Sequence, residues 1–167
     1  NGNSDMSSKN ALLNYNNVFS LNRIGTNREV EGGESLSLGL EFKRNNNTGL
    51  NNFDLKIANN LRFNENRQLP SISKLNKTRS DIFGNLNYRI NNDFKIRYFF
   101  SYDRDLEYSN LEQINFEYGV NNFFTNFSYY TEDNDIGNKE NIKNISKYVL
   151  DNENKISFEM NKDLKDD

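Results

Sequence analysis

Carboxylates and arginines are the side chains whose grouping in this sequence suggests chemistry. Asp81 precedes one run of alternating residues, Asp103-Arg104-Asp105 follows another, and Glu132, Asp133 and Asp135 form a third acidic group. Carboxylates perform acid-base catalysis when their surroundings separate their pKa values, and clustered carboxylates hold divalent cations. Asp81, Asp103, Arg104 and Asp105 fall at the loop edges of neighbouring predicted strands. They are expected simply to face water, with a rim network or a divalent ion bridging anionic lipid phosphates as the less common alternative. At such a rim nothing raises a carboxyl pKa, which argues against catalysis. The 132–135 group lacks the glycine turn and later bidentate Glu of a calcium loop, and reads as a solvated acidic loop. The sequence has no His and no Cys. That removes the commonest general base and metal ligand and all thiolate chemistry, so no enzyme activity, metal or cofactor is expected.

A further polar group, Asn22, Arg23, Arg28, Glu31, Gly32 and Gly33, lies in an Asn- and Ser-rich stretch near the start. The glycine pair reads as a backbone bend or bulge where a strand begins. The charges either pair inside a lumen or are solvated, the second being the more common case.

Strands must position these residues. In 34–42, Leu36, Leu38, Leu40 and Phe42 share one face, and Ser35, Ser37, Gly39 and Glu41 the other. The same period of two places Phe53, Leu55, Ile57, Leu61 and Phe63 together in 53–63, then Ile82, Gly84, Leu86, Tyr88 and Ile90, then Phe94, Ile96, Tyr98, Phe100 and Tyr102. Asn91-Asn92 and Asn121-Asn122 read as tight hairpins, the latter joining Ile114, Phe116, Tyr118 and Val120 to a strand at 123–131 that is aromatic on both faces. A loop is predicted at 132–144, followed by a short last hairpin of 145–150 and 155–160 about residues 151–154. The single proline, Pro70, suits the long connection at 64–79, because proline cannot donate to a ladder.

Mean hydropathy of -0.95 is low for a packed globule, yet 13 Phe and 9 Tyr at period two argue against disorder. A transmembrane β-barrel reconciles these facts, since only its outer band must be apolar. The fold class is therefore all-β: an antiparallel transmembrane β-barrel segment of about eight strands joined by alternating short turns and longer loops. Residues 1–33 are expected to be an irregular loop or edge segment, and 34–167 the barrel segment, part of a larger barrel. The sequence does not open with a charged-then-apolar leader, so any export signal is expected to lie outside these residues or to have been removed. A soluble β-sandwich binding module shows the same alternation with its apolar face turned inward, and a small self-contained pore or anchor barrel would need the first and last strands to pair. Loop asymmetry favours the membrane barrel, together with Tyr88, Tyr98, Tyr102, Tyr118, Tyr129 and Tyr130 toward strand ends as an interfacial girdle. Net charge is -3 with both signs interspersed, so nucleic acid is not an expected partner.

Several strings, in order, resemble the lipopolysaccharide-assembly outer-membrane protein family (LptD), in its C-terminal barrel domain. They are Phe19-Ser20-Leu21-Asn22-Arg23, then Val30-Glu31-Gly32-Gly33 running into Leu38-Gly39-Leu40, Arg79-Ser80-Asp81 with Gly84, the exit Asp103-Arg104-Asp105, and Lys155-Ile156-Ser157-Phe158 with 161–164. The family's Asp-Arg before Val-Glu-Gly-Gly is here Asn27-Arg28 with Glu29 interposed. The resemblance implies location in the cell outer membrane and insertion of lipopolysaccharide (LPS) into its outer leaflet. It also implies contact with outer-membrane lipid, a plug lipoprotein of the LptE kind and periplasmic Lpt bridge proteins.

Overall fold

In the computed structural model, residues 13–20, 23, 32–45, 51–67, 69, 71, 74–134 and 137–165 are described. They build one antiparallel sheet of eight strands in sequence order. The strands are β1 (Ser35–Asn45), β2 (Asn51–Arg62), β3 (Ile82–Arg89), β4 (Phe94–Tyr102), β5 (Ser109–Val120), β6 (Phe123–Asn134), β7 (Gly137–Val149) and β8 (Lys155–Asp163). The sheet is open, with β1 and β8 at its edges. The β1–β8 pairing that a self-contained barrel needs is absent among the described residues, and so is the second sheet that a sandwich needs.

Register makes the two faces chemically distinct. Leu40 opposes Ile57, Leu55 opposes Leu86, Leu86 opposes Tyr98, Tyr98 opposes Ile114 and Ile114 opposes Tyr129, so the apolar alternation of β1 to β6 joins one face, on which β7 sets Asn144 and Ser146 between Ile142 and Tyr148. On the edge strands its side chains are bare, Leu40 75% exposed and Phe158 59%, and on the central strands Leu55, Leu86, Tyr98 and Ile114 remain partly exposed. A contiguous apolar face of this extent is not left to water in a soluble monomer. We call this face outer and the opposite face inner. For β6, period two alone leaves the facing undecided; register sets Phe123, Phe127 and Tyr129 outward, and Phe124, Ser128 and Tyr130 inward.

The loop expected at 132–144 is instead strand. Thr131 pairs with Glu140, Glu132 with Lys139 and Asp133 with Asn138, so Glu132 and Asp133 belong to β6 rather than to an acidic loop, while Asp135 lies outside the described residues. The backbone ladder continues past the apolar band, where both faces are polar and the period-two signal vanishes. Strand extension also relocates part of the expected tyrosine girdle. Tyr88, Tyr118 and Tyr148 sit near the short-turn ends and Tyr102 at the other end, but Tyr98 and Tyr129 lie inside their strands and Tyr130 faces inward.

The short-turn end is shaped by asparagine and aspartate. Asn91 Oδ1 accepts the N–H groups of Asp93 and Phe94 at 2.9 and 2.8 Å, closing the β3–β4 turn. Asp151 Oδ1 does the same for Glu153 and Asn154 between β7 and β8. Asn121 takes the positive φ of 48° required by the two-residue β5–β6 link. At the opposite end lie the 103–108 loop and the described residues between β2 and β3. The described residues include no helix long and apolar enough to cross a membrane, which leaves strand crossing untouched.

Candidate functional site

The buried core lies on the inner face, against β2 and β3. Ala58 and Phe83 from the sheet meet Leu13 and Val18 from the amino-terminal segment and Leu69 and Leu75 from the β2–β3 connection, with Tyr15 at the margin. The expectation of an irregular start gave no hint of this seat, because Leu13 and Val18 carry no periodic pattern. Phe19 lies over Gly39, where a Cβ would come within 2.5 Å of its ring.

Polar contacts fix the segment in place. Ser37 Oγ donates to the Val18 carbonyl at 2.8 Å and accepts from Arg23 Nη1 at 3.3 Å and Asn60 Nδ2 at 3.0 Å. Arg23, almost fully buried, also donates to Ser35 Oγ at 2.7 Å. Arg62, buried as well, donates to the Gly32 carbonyl. Gly33 adopts φ +93°, and a Cβ there would meet Arg62 Nη2 at 3.0 Å, so the turn requires glycine twice over. Asn22, Arg28 and Glu31 lie outside the described residues. Neither Arg62 nor Ser37 stood out in the sequence; each is one polar residue on an alternating strand, and only register brings them to Gly32 and Arg23.

The acidic residues divide in a way that corrects the expected water-facing rim. Asp81 is 1% exposed and Asp103 6%. Asp81 Oδ2 accepts from Asn110 Nδ2 at 2.8 Å and Ser101 Oγ at 3.4 Å, and Lys74 Nζ stands 3.9 Å from Oδ1. Desolvation dominates there and raises the Asp81 pKa, against the pull of Lys74 and the two donors. Asp103 shapes its own loop: Oδ1 accepts the N–H groups of Glu107 and Tyr108 at 2.8 and 3.1 Å. Desolvation would raise its pKa, but these backbone donors, with Lys74, hold it below the ordinary aspartate value. Arg104 and Asp105 remain exposed and pair with each other at 3.0 Å. Asp81 and Asp103 therefore share a lysine, and no group of three acidic ligands able to hold a metal occurs among the described residues.

On the outer face, Tyr98 donates to Glu112 Oε1 at 2.5 Å, Tyr102 donates to the same oxygen, and Tyr129 donates to Glu140 Oε1 at 2.9 Å. Tyr98 thus leans toward the long-loop end, since Glu112 opposes Phe100, two residues nearer that end. These phenol-carboxylate contacts mark where the apolar band gives way to polar surface.

A family model described as LPS transport system D, LptD, matches residues 2–159, spanning the amino-terminal segment and every strand as far as β8. The chain belongs to the LptD family. It is therefore a component of LPS transport, and that family is a transport component rather than an enzyme. A search of curated proteins found no match. The LptD match covers the strings from Phe19-Ser20-Leu21-Asn22-Arg23 to Lys155-Ile156-Ser157-Phe158 and stops short of 161–164.

Proposed function

We propose that this sheet is a stretch of barrel wall in the outer membrane, through which LPS reaches the outer leaflet. The observation that carries the reading is the exposed, largely apolar face of β1 to β6 opposite an inner face rich in Asn, Ser, Lys, Arg and Glu. Lipid chains cover the first, and the saccharide passes along the second. The short turns face the periplasm and the long connections face outward. A plug lipoprotein of the LptE kind sits within the barrel, and periplasmic Lpt bridge proteins deliver the lipid from the short-turn side. Arg23, Gly32 and Gly33 hold the amino-terminal segment on the inner wall, and Asp81, Asp103, Arg104 and Asp105 shape the outer rim. Support comes from family membership, from the long 63–81 connection at one end of the sheet, and from the Arg23–Ser35 and Arg62–Gly32 contacts.

Orientation is tested by labelling. This sequence has no cysteine, so Asp105→Cys and Asn92→Cys are each introduced into an otherwise cysteine-free full-length protein. A membrane-impermeant maleimide should label position 105 in intact cells, and position 92 only after the outer membrane is opened. The opposite pattern, or equal labelling of both, would refute the proposed topology.

A further inference from the structure

We propose that the inner face at the short-turn end holds an anion pocket for the phosphate groups of a phosphorylated saccharide; the inference rests on the reading that saccharide passes along this face. A cavity of about 380 Å³ lies there, lined by Arg89, Lys95, Arg97 and Glu117, with Asp54 and Asn87 at its side. Its charge is unbalanced. Register sets Arg89 directly opposite Lys95, a like-charge pair that weakens a sheet unless something between them is negative. Glu117 serves two of the cations, pairing with Arg97 and standing 3.9 Å from Lys95. Asp54 is engaged by Lys56 at 3.8 Å. Arg89 has no ion pair among the described residues, and Arg89, Lys95 and Arg97 line the cavity against two carboxylates, Glu117 and the Asp54 shared with Lys56.

A polar wall needs hydrogen-bonding groups, and Asn or Ser supply those without repulsion. Two guanidinium groups and an ammonium around one cavity instead match an oxyanion, which arginine binds through its planar fork and lysine as a point charge. Free inorganic phosphate shares this chemistry with sugar phosphate. The wall beyond β3 is open to a large ligand, whereas Ala58 and Phe83 on β2 and β3 are covered by the amino-terminal segment and the β2–β3 connection.

The test measures binding of LPS, and of the same LPS stripped of phosphate, to the full-length protein in detergent. Wild type should prefer phosphorylated LPS. Arg89→Gln with Lys95→Gln should lose about tenfold in affinity for it and little for the stripped form. Glu117→Gln, which frees Arg97 and Lys95, should tighten binding of the phosphorylated form. Lys155→Gln, an inner-face cation outside the pocket, should change neither. If the Arg89/Lys95 variant retains the wild-type preference, the pocket is refuted while the transport reading stands. If wild type binds neither form, both fall. Inorganic phosphate that binds but fails to compete with LPS would make this a free-phosphate site and overturn the saccharide assignment.

Discussion

Leu40→Arg tests whether the bare face meets lipid. Leu40 is the sixth of eleven residues in β1. Five residues at about 3.4 Å each, tilted about 40°, place it about 13 Å from either strand end, at the middle of a band about 25 Å tall. It is 75% exposed, so no protein neighbour is displaced by a longer side chain. An arginine at that depth costs about 2–4 kcal/mol in a barrel wall. A loss of about 3 kcal/mol corresponds to about 150-fold in the folding equilibrium. The companion change, Ser157→Arg, lies on the exposed inner face of β8 opposite Lys147 and should cost at most about 1 kcal/mol from the new repulsion. Both are read by urea titration of the full-length protein folded into phospholipid vesicles. Equal losses for the two variants, or a Leu40→Arg protein within about 1 kcal/mol of wild type, would refute the assignment of this face to hydrocarbon.

Gly84→Ala would place a Cβ 2.3 Å from the Lys56 carbonyl and 2.7 Å from the Phe100 ring, so the β2–β3 ladder must shift, and the heat-resistant folded band on gels should fall sharply; Gly32→Ala, with nothing within 4 Å, is its neutral control. Leu75→Ala empties a 1% exposed core position and should cost about 2–5 kcal/mol locally, seen as faster proteolysis within the β2–β3 connection. Asp103, with a folded pKa below the ordinary 3.8, stabilises its loop at neutral pH and loses that contribution as pH falls below about 4; hydrogen exchange at Glu107 and Tyr108 should rise there, and Asp103→Asn should flatten the dependence. Asp81 has the opposite sign: its raised pKa means that stability falls as pH climbs through the folded value. Asp81→Asn should therefore stabilise at pH 7 and do nothing at pH 3, and equal effects at both would contradict its burial as the cause.

Strands were legible wherever one face meets lipid. Leu36 to Phe42, Ile82 to Tyr88 and Phe94 to Tyr102 alternate because the membrane imposes two solvents, and the Asn91 turn carries its own side-chain acceptor. Legibility ended where both faces are wet: β6 and β7 pair from Thr131 to Asn134 and from Gly137 to Glu140 through polar residues alone, held by backbone hydrogen bonds that any sequence without proline can make. The candidate site divides similarly. Asp103 and Asp81 were visible as charges, but their burial depends on Lys74, Asn110 and Ser101 arriving from three separate stretches. Likewise Gly33 was readable as a bend, whereas its partner Arg62 is thirty residues from the Gly32 carbonyl it binds.

The seat of the amino-terminal segment also imposes an order of assembly. Ser37 comes from β1 and Asn60 from β2, and Ser80 ties Asn60 to the stretch leading into β3 by accepting its N–H at 2.9 Å. None of these groups is positioned until all three strands are in register, so residues 13–20 find their site only after the first part of the wall is built. A segment near the start of the chain is therefore among the later pieces to settle, and its docking reports that the neighbouring strands have paired correctly. A one-residue slip of β2 would turn Asn60 outward and remove its hydrogen bond to Ser37, the hydroxyl that Val18 and Arg23 share.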